Sequence, residues 1–580
     1  MREKTDNVWE VIPTSSSDSK ELSDRLGVSQ LTAKLLINRG MRTVEEAERF
    51  INVSMDHLYP PMAMSGMREA VERVCRAVAD GEKIAVYGDY DVDGISATSL
   101  LILFFRDIGI AASYYIPNRI DEGYGLNEEA IKKLAGESDL IITVDCGVSS
   151  IHEVSLARQL GLDIIITDHH QVSSGLPPAC AILNPSRGDC GYPFKCLAGV
   201  GIAFKLVMAV HAALLERKII NRSEAPKLKK YLDLVALGTL ADMVPLVGEN
   251  HTLVRIGLKE LTTTKKVGLR ALKNLGNFGD RRINSTDVNF FLSPRLNAIG
   301  RLKSASLGVE LLTTNNRIRA REIARLLEEE NANRQKIQNR ILHEVLEQIR
   351  DRVDIKNDKA IVLASKGWHP GVIGIVAAKV VDRFHMPTIL LNMEDGVSRG
   401  SARSVPDFHI YNGLKLCEDK LLHFGGHKYA AGLSLKTEMI DEFRHDFQKA
   451  VERQVPSGIS KPTLEIDSEA RLAAFNTDTV EDIMELGPFG TANRQPLFLA
   501  KNISFTGKPS FVGKEGEHVT FEVESGGGAL DGIGFGMSHS FKQMDVTSGR
   551  YDIVFTPYIS ARSSMSRQVQ LRLRDFRPAV

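Results

Sequence analysis

A chain of 580 residues, 43% hydrophobic and 25% charged, has the composition of a folded protein of roughly three or four domains at ~150 residues each. Its 73 basic and 73 acidic residues cancel, so any nucleic-acid binding must come from local clusters of Lys and Arg. No run of ~18 uncharged apolar residues predicts a membrane span, the first twenty residues lack a signal-peptide core, and six irregularly spaced cysteines fit a reducing cytoplasm.

In chain order, residues 1–50 read as a helical lead-in, with "ELSDRLGVSQLTAKLLINRG" ending on a glycine stop. From about residue 82 to 185, apolar runs alternate with helices. "KIAVYGDYD", "ASYYIPN", "DLIITVDCG" and "DIIITDHH" read as strands; "SATSLLILFFRDIG", "NEEAIKKLAGE" and "HEVSLARQLG" read as helices. This alternation predicts an α/β fold with a doubly wound parallel sheet, followed by helices to about residue 312. A long helix from about Asn315 to Arg352 carries Ile337, Ile341, Val345 and Ile349 at i, i+4 on a charged surface, and reads as a solvated connector. A smaller α/β unit follows from about Lys359 to Val455, with "AIVLAS" and "PTILLN" flanking the helix "GVIGIVAAKVVDRF". "SGISKPTLEID" reads as a linker, and the glycine-punctuated strands beyond it predict a small barrel or sandwich. The expected boundaries are 1–50, 51–312, 313–354, 355–457 and 458–580.

The chemistry concentrates at strand ends. "VYGDYDVDGIS" places Asp89, Asp91 and Asp93 after one strand, "IITVDCG" places Asp145 after another, and "IIITDHH" places Asp168, His169 and His170 after a third. Asp242 follows the apolar segment "LDLVALGTLADMVPL". Any one alone reads as an acidic turn or helix cap. Together they converge on one rim, because ligands of open α/β sheets sit beyond the carboxyl ends of the strands. Clustered carboxylates need a cation or protons to relieve their repulsion. An oxygen-rich set with some imidazole favours Mn²⁺ or Mg²⁺ over structural zinc, and the carboxylates suffice for two ions ~3.5–4 Å apart. Neighbouring residues on a strand face opposite ways, so both histidines can serve one site only if the strand ends at or before Asp168.

Donors for phosphate are also present: Asn118 and Arg119; Arg295, Asn297 and Arg301; Ser398, Arg399, Ser401 and Arg403; and Gly425, Gly426 and His427. "FVGKEG" lacks the spacing and the Ser/Thr of a P-loop. The segment from Arg550 to Arg577 holds six Arg against two Asp, with Tyr551, Phe555, Tyr558 and Phe576 among them, which suits single-strand binding by stacking and charge.

Read in order, "GDYDVDG", "DCG", "DHH" and "LADMVPL" resemble the DHH phosphoesterases. "IPNRIDEGYGL", "LAGVGIAFKL", "SPRLNAIGRL", "GWHPGVIGI", "GSARS" and "FGGHKYAAGLSL" are similar to the RecJ family within them, bacterial 5′→3′ single-stranded-DNA exonucleases. The resemblance covers nearly the whole chain. It implies a parallel-sheet DHH domain, a long helix to a DHH-associated domain, a catalytic groove between them, and a C-terminal OB-like barrel. It also implies Asp89, Asp91, Asp93, Asp145, His169 and Asp242 as ligands of two Mn²⁺ or Mg²⁺ ions, with Asp145 bridging. By the same resemblance His170 lies against the substrate phosphate or water and His427 contacts the scissile phosphate. Arg119, Ser401 and Arg403 would form a pocket for the 5′-terminal phosphate, and Asp168 would orient an imidazole. A cytoplasmic, nucleoid-associated monomer is expected, with single-strand-binding protein and a RecQ-type helicase as implied partners. Two other functions fit parts of this pattern: a DHH phosphoesterase of short oligoribonucleotides or cyclic dinucleotides, and a non-catalytic replication scaffold.

Overall fold

A computed structural model describes residues 7–118, 122, 123, 125–172, 175–302, 304–544, 546, 549–563 and 566–579. Its first sheet has five parallel strands in the order Ala112–Tyr115, Ile84–Gly88, Leu140–Val144, Asp163–Thr167, Ala181–Leu183. Ile84–Gly88 and Leu140–Val144 are buried at every residue, as a sheet covered on both faces requires. Alternate side chains go to opposite layers. Ile84, Val86, Ile142 and Ile165 join Val74, Phe104 and Phe204 from the helices Met67–Asp80, Val92–Asp107 and Gly199–Glu216. Ala85, Tyr87, Ile141 and Ile164 join Ile131 and Val154 from the helices Glu128–Ala135 and Ile151–Gln159. From Ile84–Gly88 the chain passes outward to the edge strand Ala112–Tyr115 and then returns to Leu140–Val144 on the other side. The switch point therefore lies between the strands that lead into Asp89 and Asp145.

The helix Gly199–Glu216 is apolar and long enough to cross a membrane, yet it is a core helix here. Its Lys205 is fully buried, donating to Glu249 Oε1 at 2.6 Å and to the Tyr59 carbonyl at 2.9 Å, while Glu249 Oε2 accepts from the Tyr192 hydroxyl at 2.7 Å. Removing one partner of a buried ion pair leaves an uncompensated charge. Glu249→Gln is thus expected to lower stability by about 3–5 kcal/mol, read as an earlier urea midpoint with unchanged slope.

The connecting helix, Arg317–Arg352, spans 36 residues, or about 54 Å at 1.5 Å per residue. It is not a solvated connector along its whole length. Ala320, Ile323, Ala324 and Leu327 sit in the core of the first domain, and Ile341, Val345 and Ile349 sit in a second core with Ile361, Trp368 and Val376. The narrow apolar stripe is enough because each half has a domain to pack on; only the remaining faces are wet.

That second domain has a mixed sheet in the order His423–Gly426, Ala430–Lys436, Val397–Arg403, Thr388–Met393, Ile361–Lys366. The last two are parallel and joined by the helix Pro370–Phe384; the other neighbours are antiparallel.

The C-terminal strands Phe498–Val512, His518–Ser525, Gly528–Gly534, Ser566–Pro578 and Tyr551–Ser563 form a closed five-stranded barrel, sealed by pairing of the first with the last. The lead-in helices belong to this unit. Leu35, Leu36 and Phe50 share a core with Phe475, Phe498 and Phe555. Within the expected linker, Thr463–Ile466 is a strand, paired in parallel with Val8–Val11. Trp9 Nε1 donates to Asp575 Oδ2 at 2.9 Å, and Arg577 lies over the Trp9 ring.

Candidate metal centre and phosphate pocket

Backbone amides fix two of the carboxylates at the switch point. Asp91 caps the helix Val92–Asp107, accepting from the Asp93 and Gly94 amides at 2.8 and 3.1 Å. Asp93 is buried and accepts from the Gly199 and Val200 amides at 2.7 and 3.0 Å, at the start of the next core helix. That approach requires glycine: a Cβ on Gly199 would lie 2.7 Å from Asp145 Oδ1, and one on Gly238 would lie 2.7 Å from Asp93 Oδ1. Asp145 holds φ at +63°, in the left-handed region that Asp and Asn tolerate best among non-glycine residues.

The third strand ends at Thr167, so His169 and His170 lie on the turn that follows and do converge, with ring centroids 4.5 Å apart. His169 Nε2 lies 3.1 Å from Asp145 Oδ1 and 3.6 Å from Asp242 Oδ2. Asp168 makes other contacts. Its Oδ2 accepts from the Val148 amide at 3.0 Å, and its Oδ1 takes the His170 amide at 3.0 Å and His170 Nδ1 at 2.7 Å. The imidazole that Asp168 orients is therefore that of His170.

Three groups have ligand atoms within 4.8 Å of one another: Asp89, Asp91 and Asp145; Asp93, His169 and Asp242; and Asp145, His169 and His170. Asp145 touches both sides of the cluster. Burial, then Asp91, raises Asp93 to about 7; burial, then Asp93, raises Asp242 to about 9; and burial, then Asp93, raises Asp145 well above the usual carboxylate range. Burial, reinforced by neighbouring His170, lowers His169 to about 4, leaving a neutral ring. Burial would also lower His170, but the bond to Asp168 outweighs it and raises the ring. Among the described residues, the buried His169 Nε2 and Asp242 Oδ2 carry no hydrogen bond. Crowded carboxylates, a neutral imidazole and unmatched ligand atoms fit divalent cations with a preference for oxygen.

The other expected site residues separate into groups. Ser401 and Arg403 lie together on the strand Val397–Arg403, Arg403 Nη1 donating to Ser401 Oγ at 3.0 Å. Both face the early turns of the helix Pro370–Phe384, where a Cβ on Gly374 would meet Ser401 Oγ at 2.8 Å and Arg403 Nη2 at 2.9 Å. A helix N-terminus beside a guanidinium and a hydroxyl favours an anion. Sequence reading singles out neither Gly374 nor the N-capping His369, although both lie in "GWHPGVIGI". On the same strand, Ser398 is buried against Thr437, and Arg399 is exposed. His427 is exposed at a hairpin tip, preceded by Gly426 at φ +143° and by exposed Gly425.

Arg295 is tied up: Nε donates to Glu328, Nη1 donates to the Phe291 carbonyl at 2.8 Å, and the guanidinium lies 3.4 Å from the Phe291 ring centroid. It joins two helices instead of standing ready for phosphate. Asn297 is half-buried on the helix Ser293–Leu302, whose Gly300 abuts the Tyr90 carbonyl in the acidic turn. Asn118 donates its amide to Glu122 Oε1 at 2.8 Å. Arg119 and the side chain of Arg301 lie outside the described residues. The residues that sequence reading missed are mainly backbone donors: Gly199, Val200 and Val148. For Gly199 and Val200 the one signal is the run of small residues in "LAGVG".

Comparison with known proteins places this architecture. The profile described as DHH family, N-terminal domain, matches residues 83–239; the DHHA1 domain matches 357–453; and the RecJ OB domain matches 466–575. The chain is 38% identical over 531 residues to the single-stranded-DNA-specific exonuclease RecJ of Dickeya dadantii, covering 89% of this chain and 90% of that protein. It is 37% identical over 530 residues to the protein of the same name from Bacillus subtilis, covering 91% of this chain but 65% of the relative's length. The crystal structure of RecJ from Thermus thermophilus in complex with Mn²⁺ superposes with a TM-score of 0.83 at 27% identity, covering 99% of this chain and 80% of that one. The same protein in complex with Mg²⁺ gives 0.77 at 25%, covering 99% and 79%.

Proposed function

This chain belongs to the RecJ exonucleases of the DHH family, and we propose that it degrades single-stranded DNA from the 5′ end by metal-dependent phosphodiester hydrolysis, releasing 5′-mononucleotides in recombination and repair. The observation that carries this reading is the pair of ligand groups, Asp89/Asp91/Asp145 and Asp93/His169/Asp242, at one switch point. When bound there, Mn²⁺ or Mg²⁺ supplies an activated water and neutralises charge on the leaving oxygen. The chain's own groups do the positioning. Asp168 holds His170 through Nδ1, so the ring offers its other nitrogen to water or phosphate. Ser401 and Arg403 seat the terminal 5′ phosphate, which gives the polarity. Arg119 joins them in that pocket, His427 contacts the scissile phosphate, and Asn297 and Arg301 contact the strand. The barrel favours a long strand over a dinucleotide, and the complete Asp/His set favours an enzyme over a scaffold. The protein acts in the cytoplasm at the nucleoid, as a monomer, with single-strand-binding protein and a RecQ-type helicase as partners.

The test is the purified protein with Mn²⁺ on single strands labelled at either end. Immediate release of the 5′ label as mononucleotide, with late loss of the 3′ label, is expected. Loss of the 3′ label first, or equal attack on duplex, would sink the proposal.

A further inference from the structure

Asp93 and Asp242 enter the same ligand group from two separate pieces of backbone. Asp93 is seated by the Gly199 and Val200 amides. Asp242 ends the helix Leu232–Ala241, its amide bonded to the Gly238 carbonyl at 2.9 Å, and Met243 after it takes a left-handed φ of +59°. One side chain joins the two pieces. Asn250, fully buried in the first turn of the helix Gly248–Thr262, donates from Nδ2 to the Cys196 carbonyl at 2.5 Å and to the Pro245 carbonyl at 3.0 Å. Cys196 lies three residues before Gly199, and Pro245 three residues after Asp242. Leu246, next along, donates its amide to the Thr491 carbonyl at 2.8 Å, so the backbone after Asp242 is pinned at two points.

The chemistry of this clasp is specific to an amide. Two carbonyl acceptors need two hydrogens on one atom. Among short side chains asparagine carries them, whereas a hydroxyl has one and an ionised carboxylate none. Asn250 Oδ1 is buried with no hydrogen-bond partner among the described residues, and an unpaired buried acceptor costs about 1–3 kcal/mol. The position thus keeps its amide for the two bonds that Nδ2 makes. Ligands must be held within ~0.5 Å of the productive geometry, and a fixed spacing between the two pieces of backbone provides that.

We propose that Asn250 is a positioning residue of the reaction. It sets the distance between the backbone that seats Asp93 and the backbone that presents Asp242. It thereby tunes the cation site of Asp93, His169 and Asp242, and leaves that of Asp89, Asp91 and Asp145 largely unchanged. The role rests on the metal-centre reading and adds to it that one substitution affects the two ions unequally.

The experiment titrates Mn²⁺ into the full-length protein by calorimetry, for the wild type, Asn250→Ala and Asn250→Ser. The wild type is expected to bind two ions. In Asn250→Ala one ion should keep its affinity and the other should loosen about 10–100-fold, the usual effect of removing a group that orients a ligand. Asn250→Ser, with one hydrogen left to donate, should fall between, and it carries the test if the alanine variant does not fold. In turnover, the Mn²⁺ concentration for half-maximal rate should rise by the same factor, and excess Mn²⁺ should restore kcat at unchanged KM for the strand. Gln448→Ala removes a comparable clasp, on the Lys359 and Ala360 backbone of the second domain, and should lower the melting temperature without altering either Mn²⁺ affinity. Unchanged binding of both ions in the Asn250 variants, or equal weakening of the two, would overturn the role of Asn250. Fewer than two ions in the wild type would overturn the metal centre, and the clasp with it.

Discussion

Asp145→Asn is expected to lower turnover of single-stranded DNA by at least about 10³-fold while raising the melting temperature of the metal-free protein. Both effects come from one position. Asp145 is buried beside Asp89, Asp91, Asp93 and Asp242, and each neighbouring charge pushes its carboxyl toward the neutral form. At an effective dielectric of about 20, two like charges 4 Å apart repel by roughly 4 kcal/mol. Asparagine avoids the cost of either keeping that charge or protonating it in the metal-free protein, and it keeps the left-handed backbone that Asp145 already adopts. Under the proposed function the same carboxylate would hold the cations, so losing it would remove the activated water. Calorimetry separates the effects. Mn²⁺ at about 100 times its Kd should stabilise the wild type by about 2.7 kcal/mol, and the variant should lose most of that. A variant that keeps wild-type turnover, or keeps the full Mn²⁺ stabilisation, would remove Asp145 from the ligand set.

Arg403→Met is expected to raise KM for a 5′-phosphorylated strand by about 10–150-fold, corresponding to the ~1.5–3 kcal/mol of a hydrogen bond to a charged group. The wild-type preference for a 5′ phosphate over a 5′ hydroxyl should disappear with it. Arg403→Lys should recover only part of that preference, because an ammonium lacks the guanidinium fork. Undiminished discrimination in Arg403→Met would show that the pocket beside Gly374 does not read the strand end, and polarity would then need another source.

How far these sites could be read from sequence depended on whether the signal was local. Asp89, Asp145 and Asp168 follow apolar runs, and a parallel sheet brings strand ends to one rim, so three separate motifs implied one place. The histidine pair could be read for the same reason: a strand that stops at Thr167 frees both rings. Backbone donors were not legible. Nothing in the letters Gly199 and Val200 says that their amides hold Asp93, which lies more than a hundred positions earlier. Arg295 looked like a phosphate ligand because its motif is rich in donors, but Glu328, which occupies it, comes from the long connecting helix. The stripe at Ile341, Val345 and Ile349 was visible, while the apolar surface that covers it is built by residues downstream. Likewise "TLEI" sits in a segment with linker composition, and its strand partner is near the start of the chain.

That last pairing has a consequence for how the protein is made. Val8 meets Thr463, so the first strand waits for 455 further residues before its partner exists. At ribosomal rates of about 5–20 residues per second, the delay is roughly 20–90 s. During that interval Leu35, Leu36 and Phe50, all destined for the barrel core, have no surface to cover them, while the first α/β domain has every strand it needs. These helices are therefore translated long before the strands that cover them, and a chaperone has reason to hold them on the nascent chain.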